Sequence, residues 1–228
     1  MTMEINKHIH PVIAIFKKEF RSEIRTRYAL NALFMFVITT LAIILFAIGN
    51  ENASPEILSG ILWIIIFFST MSGLSRTFIS EEERGTAATL QLLTTPTAVF
   101  VGKLLFNTLL LFGLNILTVI LYLILITNFT VKSADIFLLT MILGTVGLAA
   151  TSTILASIIA KANTKGTLYP VLSFPILLPL LLTVINATKL SVEGAAITEA
   201  VGEFQVLISY AVVMLTVSYL LFEHIWKD

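Results

Sequence analysis

Hydrophobic positions along the chain gather into six runs that contain no charged residue: Ala29 to Ala47, Ile57 to Ser75, Leu104 to Ile126, Ile136 to Ala160, Leu168 to Ile185 and Phe204 to Phe222. Each is long enough, at about 1.5 Å per helical residue, to cross most or all of a hydrocarbon layer of about 30 Å. The runs are apolar on every face, whereas a membrane β-barrel needs segments of about ten residues with alternating polarity. The pattern predicts an all-α polytopic membrane protein, a single domain over 1–228 with six spanning helices. A cleavable signal peptide is not expected, because a charge-rich stretch of 28 residues precedes the first run and no small-residue cleavage pattern follows it.

Ahead of the first run the pattern changes. Ile13, Phe16, Phe20 and Ile24 recur at steps of three and four, with Lys17, Lys18, Arg21, Arg25 and Arg27 around the rest of the turn. This predicts an amphipathic helix over 11–27 lying on a lipid surface, where each basic residue near anionic headgroups contributes about 1 kcal/mol. The same residues also serve as plain topogenic charge, and the pattern alone leaves both roles open.

Composition reinforces the membrane assignment: 57% of residues are hydrophobic and mean hydropathy is +0.97. There is no cysteine, which removes disulfides and thiolate chemistry. Net charge is zero, so only its distribution carries information. The amino-terminal segment, the 76–103 and 161–167 loops and the carboxy-terminal tail hold twelve Lys and Arg, and the alternate loops hold two. By the positive-inside rule both termini are cytoplasmic.

Inside the runs, four features stand out. Trp63, near the outer end of the second, is expected to anchor at headgroup depth. Thr145, Ala149, Thr153 and Ser157 form a small-residue row at steps of four, suited to close helix packing within the chain or to a dimer seam. Pro170, Pro175 and Pro179 fall in the fifth run, and the last two deprive the carbonyls of Val171 and Pro175 of their usual donors, so that helix is expected to bend or break. Finally, no run contains Asp, Glu, Lys, Arg or His. Carriers driven by protons or ions usually place such a group near mid-membrane despite a cost of about 2.5 to 3.5 kcal/mol, so energy must come from elsewhere. No GxxxxGK[ST] stretch is present, which argues against an ATP site on this chain.

The remaining candidates are weak. His8, His10 and His224 sit in the tails, and two histidines without a third ligand do not make a metal site. Asn52, Asn128 and Asn186 open NxS or NxT triplets, which are common by chance. Asn107, Asn115 and the Thr145 row are read as packing and weak polar lining.

The 76–103 loop concentrates charge at Glu81, Glu82, Glu83 and Arg84. The acids suit the positive end of a short helix, Leu90, Leu92 and Leu93 give it an apolar side, and Pro96 is expected to stop it. Such a loop is either a docking element for a separate ATPase or a solvated turn.

Several of these stretches together resemble the CcmB family, membrane subunits of an ABC transporter in cytochrome c maturation: KKEFRSEIRTR, GILW, the F-x-x-E-x-x-x-G set of Phe78, Glu81 and Gly85, then Leu90, Gln91, Leu92, Pro96 and Lys103, and the paired prolines of SFPILLP. Two positions depart from the family pattern: Arg84 stands where an acid often precedes the glycine, and the Gly85 to Pro96 interval is longer than in many relatives. The resemblance implies an ABC-2-like fold whose entry helix is an elbow. A separate CcmA-like ATPase would dock on Phe78, Glu81, Glu82, Glu83, Arg84 and Gly85 and bind ATP and Mg. It also implies CcmC-like and CcmD-like membrane partners, a CcmE-like heme chaperone and residence in a bacterial inner membrane; two copies per complex are expected because a six-helix half normally needs a second half to enclose a path. The chain itself is expected to bind no cofactor, metal or nucleic acid and to be no enzyme, with heme as cargo. Lipid, polysaccharide or drug cargo, and a scaffold that only drives chaperone release, remain alternatives.

Overall fold

A computed structural model describes residues 2–49, 53–161 and 168–227. Among these, nine α-helices and one 3-10 turn account for the structure and there is no strand. Asn52 and Lys165, and the side chain of His8, lie outside the described residues.

The amphipathic segment becomes α1, Thr2–Thr26, and the first apolar run becomes α2, Tyr28–Ile48. They meet at Arg27, a non-glycine residue held at φ 51°. That conformation is sterically disfavoured for a residue with a Cβ, so the joint has to be held by its surroundings. Glu23 does part of this by accepting a hydrogen bond from Leu30 N–H at 3.0 Å, satisfying a donor in the first turn of α2.

The next runs become α3, Pro55–Leu74, α6, Pro96–Leu125, α7, Ala134–Lys161, α8, Leu168–Glu193, and α9, Val201–Lys227. Two short helices, α4, Ile79–Glu83, and α5, Ala87–Leu93, lie between α3 and α6. Five stretches are long and apolar enough to cross a membrane, and the described apolar part of α2, Leu33–Ile48, is shorter. Ser54 and Thr95 accept N–H hydrogen bonds at the starts of α3 and α6, each followed by a proline in the first turn. Pro96 therefore begins α6, where its missing N–H costs nothing, and the short helix before it ends at Leu93 without it.

Helix α7 is the central element, packed by α6, α8 and α9 and touching α3. Its small residues permit this. A Cβ on Gly144 would come within 2.5 Å of Trp63, and one on Gly147 within 2.8 Å of Leu180. Trp63 is fully buried and donates its indole N–H to Thr188 Oγ1 at 2.8 Å, so it locks α3 to α8 through the interior and is not an anchor at headgroup depth. Thr145, Ala149, Thr153 and Ser157 are all buried. Asn107 donates to Thr153 at 2.9 Å and Asn115 to Thr145 at 2.8 Å, two rungs eight residues apart on each of the antiparallel helices α6 and α7. These amide-to-hydroxyl bonds are made inside the chain, while Asn115 Oδ1 stays buried without a partner.

Helix α8 is continuous through Pro175 and Pro179, so of the expected bend or break the break does not occur; both prolines are exposed, and Pro170 sits in the first turn, where it frees no carbonyl. At the far end from α4 and α5, the α6–α7 connection docks on the end of α8 through Lys132 and Ser133 N–H bonds to Ser191 O. Asn186 lies within α8 and donates to Glu203.

Gly144→Val is expected to wedge the Trp63 ring and lower stability by about 1–3 kcal/mol. Thermal unfolding in detergent checks this, with Gly113→Ala, which meets nothing within 4 Å, as the unaffected control.

Candidate functional site

The short helices α4 and α5 make a knuckle at one end of the bundle. Gly85, at φ 65°, forms the turn between them, a conformation that favours glycine. Gly85 N–H reaches Glu82 O and Thr86 N–H reaches Glu81 O, which ties α5 back onto α4.

Lys103 anchors the knuckle. Its position follows from Pro96: with α6 starting there, residue 103 falls two turns into the helix, and its side chain is fully buried. Gly102 beside it lets α1 approach backbone to backbone, since a Cβ there would sit 2.7 Å from Ile15 Cβ and 3.0 Å from Val12 O. That contact brings Glu19, one turn beyond Ile15, to the Lys103 ammonium, with Nζ to Glu19 Oε1 at 2.9 Å. The same Nζ donates to Thr77 O at 2.7 Å, lies 3.2 Å from Glu81 Oε2, and stands 4.8 Å from the centre of the Phe78 ring. Lys18 completes the set, pairing with Glu81 and with Glu19 at 3.2 Å.

Two cations and two carboxylates thus cancel in a site where Lys103 and Glu81 are buried while Lys18 and Glu19 reach the edge of a cleft. Removing a single charge from water is expensive unless partners surround it, and here each charged group has at least two. Burial alone would raise the Glu19 carboxyl, but the Lys103 and Lys18 ammonium groups outweigh it and hold it below the usual carboxylate range. Burial alone would lower Lys18, yet the Glu19 and Glu81 carboxylates win and raise it.

An aromatic cluster grips the other side of the knuckle. Phe78 is buried, 5.5 Å from the Phe222 ring and 6.2 Å from Trp226, and Phe100 lies 5.1 Å from Phe222. Gln91 donates to the Trp226 carbonyl, and Glu82 lies 3.8 Å from Lys161 at the end of α7. The knuckle is therefore joined to α1, α6, α7 and α9. A cleft of about 1040 Å³ opens beside it, lined by residues that include Ser72, Arg76, Ser80 and Asn107.

The CcmB protein family model matches residues 10–225 of this sequence. The chain belongs to the CcmB family. No curated protein matches it. CcmB membership makes it a membrane permease subunit of an ABC transporter in cytochrome c biogenesis.

Within this CcmB chain the coupling candidates divide into two groups. Phe78 and Glu81 point inward, as part of the aromatic cluster and the ion network. Glu82 is half-buried, while Glu83, Arg84 and Gly85 are exposed, with Glu83 paired to Arg76 at 2.7 Å. On α5, Leu90 packs against the core whereas Leu92 and Leu93 are 88% and 80% exposed. Of the elbow residues, Lys17, Arg21, Arg25 and Arg27 are exposed, and Lys18 is exposed along its stem with its ammonium turned to Glu81. The elbow packs on α6 through Val12 and Ile15, so Ile13, Phe20 and Ile24 face outward. No cluster of three metal-ligating side chains occurs among the described residues.

Sequence reasoning gave no individual role to Glu19, Phe222 or Trp226, and took Lys103 as loop charge and as one position of the family resemblance. One signal was available: Lys103, Asn107 and Asn115 share a stripe of α6 at multiples of four residues, and all three are buried.

A carboxyl lowered by folding contributes stability in full above its ordinary value of 4.5 and loses it as pH falls through the lowered value. A raised lysine contributes in full below 10.5 and loses it as pH rises through the raised value. The thermal midpoint in detergent is therefore expected to be level between these limits with respect to this pair and to drop below about pH 4.5. Glu19→Gln is expected to flatten that acid limb.

Proposed function

We propose that this chain is the passive half of an ATP-driven inner-membrane complex, in which a CcmA-like ATPase binds the knuckle and its work serves heme delivery to a CcmE-like chaperone. The observation that carries the proposal is the outward face of the knuckle. Leu92 and Leu93 stand bare beside Glu83 and Arg84, on an element whose opposite side is fixed to four helices. Apolar side chains rimmed by charge, on a firmly mounted support, suit a protein partner better than they suit water. On this reading both termini and the knuckle are cytoplasmic, α1 rests on the inner leaflet, and two copies face two ATPases alongside CcmC-like and CcmD-like subunits.

The chain supplies neither ATP site nor heme ligand in this scheme; ATP and Mg belong to the partner and heme is cargo. Stretches 48–56, 127–135 and 186–203, outer loops in this topology, contain no His, Met or Cys to ligate iron. The pairing of Asn107 with Thr153 and of Asn115 with Thr145 favours a second reading, in which ATP hydrolysis releases the loaded chaperone and heme does not pass through this subunit.

Co-purification from detergent tests the docking claim. Leu92→Asp with Leu93→Asp is expected to lower recovery of the ATPase tenfold or more while leaving the chain's own unfolding midpoint unchanged. Full retention of the ATPase would remove the knuckle from the interface. For the cargo, ATP-dependent movement of heme into sealed vesicles would support export, and chaperone release without heme movement would support the second reading.

A further inference from the structure

We infer that Lys103 is a positioning residue that fastens the elbow helix and the knuckle into one rigid unit, so that a push on α4–α5 is delivered to α1 and α6 together. This rests on the reading that a partner engages the knuckle, but its structural core does not.

The geometry is unusual for a merely stabilising ion pair. One buried ammonium, two turns into α6, reaches Glu19 of α1, the Thr77 carbonyl just before α4, and Glu81 within α4. Lys18 of α1 closes a second path to the same Glu81. Helix α1 meets α6 closely at Gly102, and without the Lys103 ammonium the Glu19 and Glu81 carboxylates would share Lys18 as their one cation in this network. Hydrogen bonds to a buried charge are directional and costly to leave unmade, so they add a fixed orientation to the contact that packing makes. A hub of this kind therefore resists rotation of α1 against α4, which it joins through Glu81. The exposed apolar residues of α1, Phe20 and Ile24, then move with the knuckle, and a displacement at one end of the bundle is felt by the helix lying along the lipid surface.

Because the chain has no cysteine, single cysteines can be placed without background. Spin labels at Ile24 on α1 and Ala88 on α5, both exposed, report the relative position of elbow and knuckle. In the unmodified network we expect one narrow distance distribution, identical for the chain alone in lipid nanodiscs and for the complex with ATP or ADP. Lys103→Met is expected to broaden it at least twofold, and to uncouple the complex so that ATP hydrolysis persists while chaperone release falls tenfold. Should Lys103→Met fail to fold, Glu19→Gln, which keeps shape and an acceptor, is expected to broaden the distribution to a smaller extent. A distribution as narrow in these variants as in the parent would overturn the inference, and so would a parental distance that shifts between ATP and ADP. The measurement on the chain alone needs no ATPase, so loss of ATPase binding to the knuckle would sink the functional reading without touching this one.

Discussion

An ammonium group withdrawn from water inside a membrane protein dictates much of what surrounds it. Lys103 must find acceptors within about 3 Å, and those acceptors come from α1 and from the segment that leads into α4. Satisfying it requires that α1 fold back onto α6, that Gly102 lack a side chain, and that α4 turn Glu81 inward. Once those conditions are met, the outward face of the knuckle is decided as well. Glu83, Arg84, Leu92 and Leu93 are what remain when the inward positions are taken.

The same logic appears deeper in the bundle in neutral form. Along α6, Lys103 gives way to Asn107 and Asn115, and the partners change from carboxylates to the hydroxyls of Thr153 and Thr145. A single stripe of one helix thus carries its charge at the end and its amides within the apolar run, in keeping with the rising cost of unpaired polarity away from water. Trp63 and Thr188 make a comparable lock between α3 and α8. The small residues of α7 allow these neighbours to approach; the hydrogen bonds then fix which neighbour faces which.

The helices were legible in the sequence because each apolar run is long and uninterrupted, and solvation in lipid leaves a helix as the one economical backbone state. The elbow was legible from its periodicity, and the family from motifs spread over the chain. What could not be read was partnership at long range. Glu19 and Lys103 are 84 positions apart, and no local pattern announces that one will neutralise the other. The same holds for Phe78 with Phe222 and Trp226, whose side chains look like ordinary loop and tail residues until three helix ends converge. Pro96 was misjudged for a local reason: a proline between two helical patterns ends one or starts the next, and the Thr95 cap chose the second. Pro175 and Pro179 are exposed on α8, so their rings press on no neighbouring helix.

The 84-position gap has a consequence for how the molecule comes into being. A ribosome makes Glu19 and Glu81 before Lys103, so both acids leave the exit tunnel ahead of the cation that will neutralise them. Until the third apolar run has been made, α1 lacks the α6 face on which it packs. Docking of α1 is thus the return of an early-made segment to a seat that did not exist when that segment was synthesised.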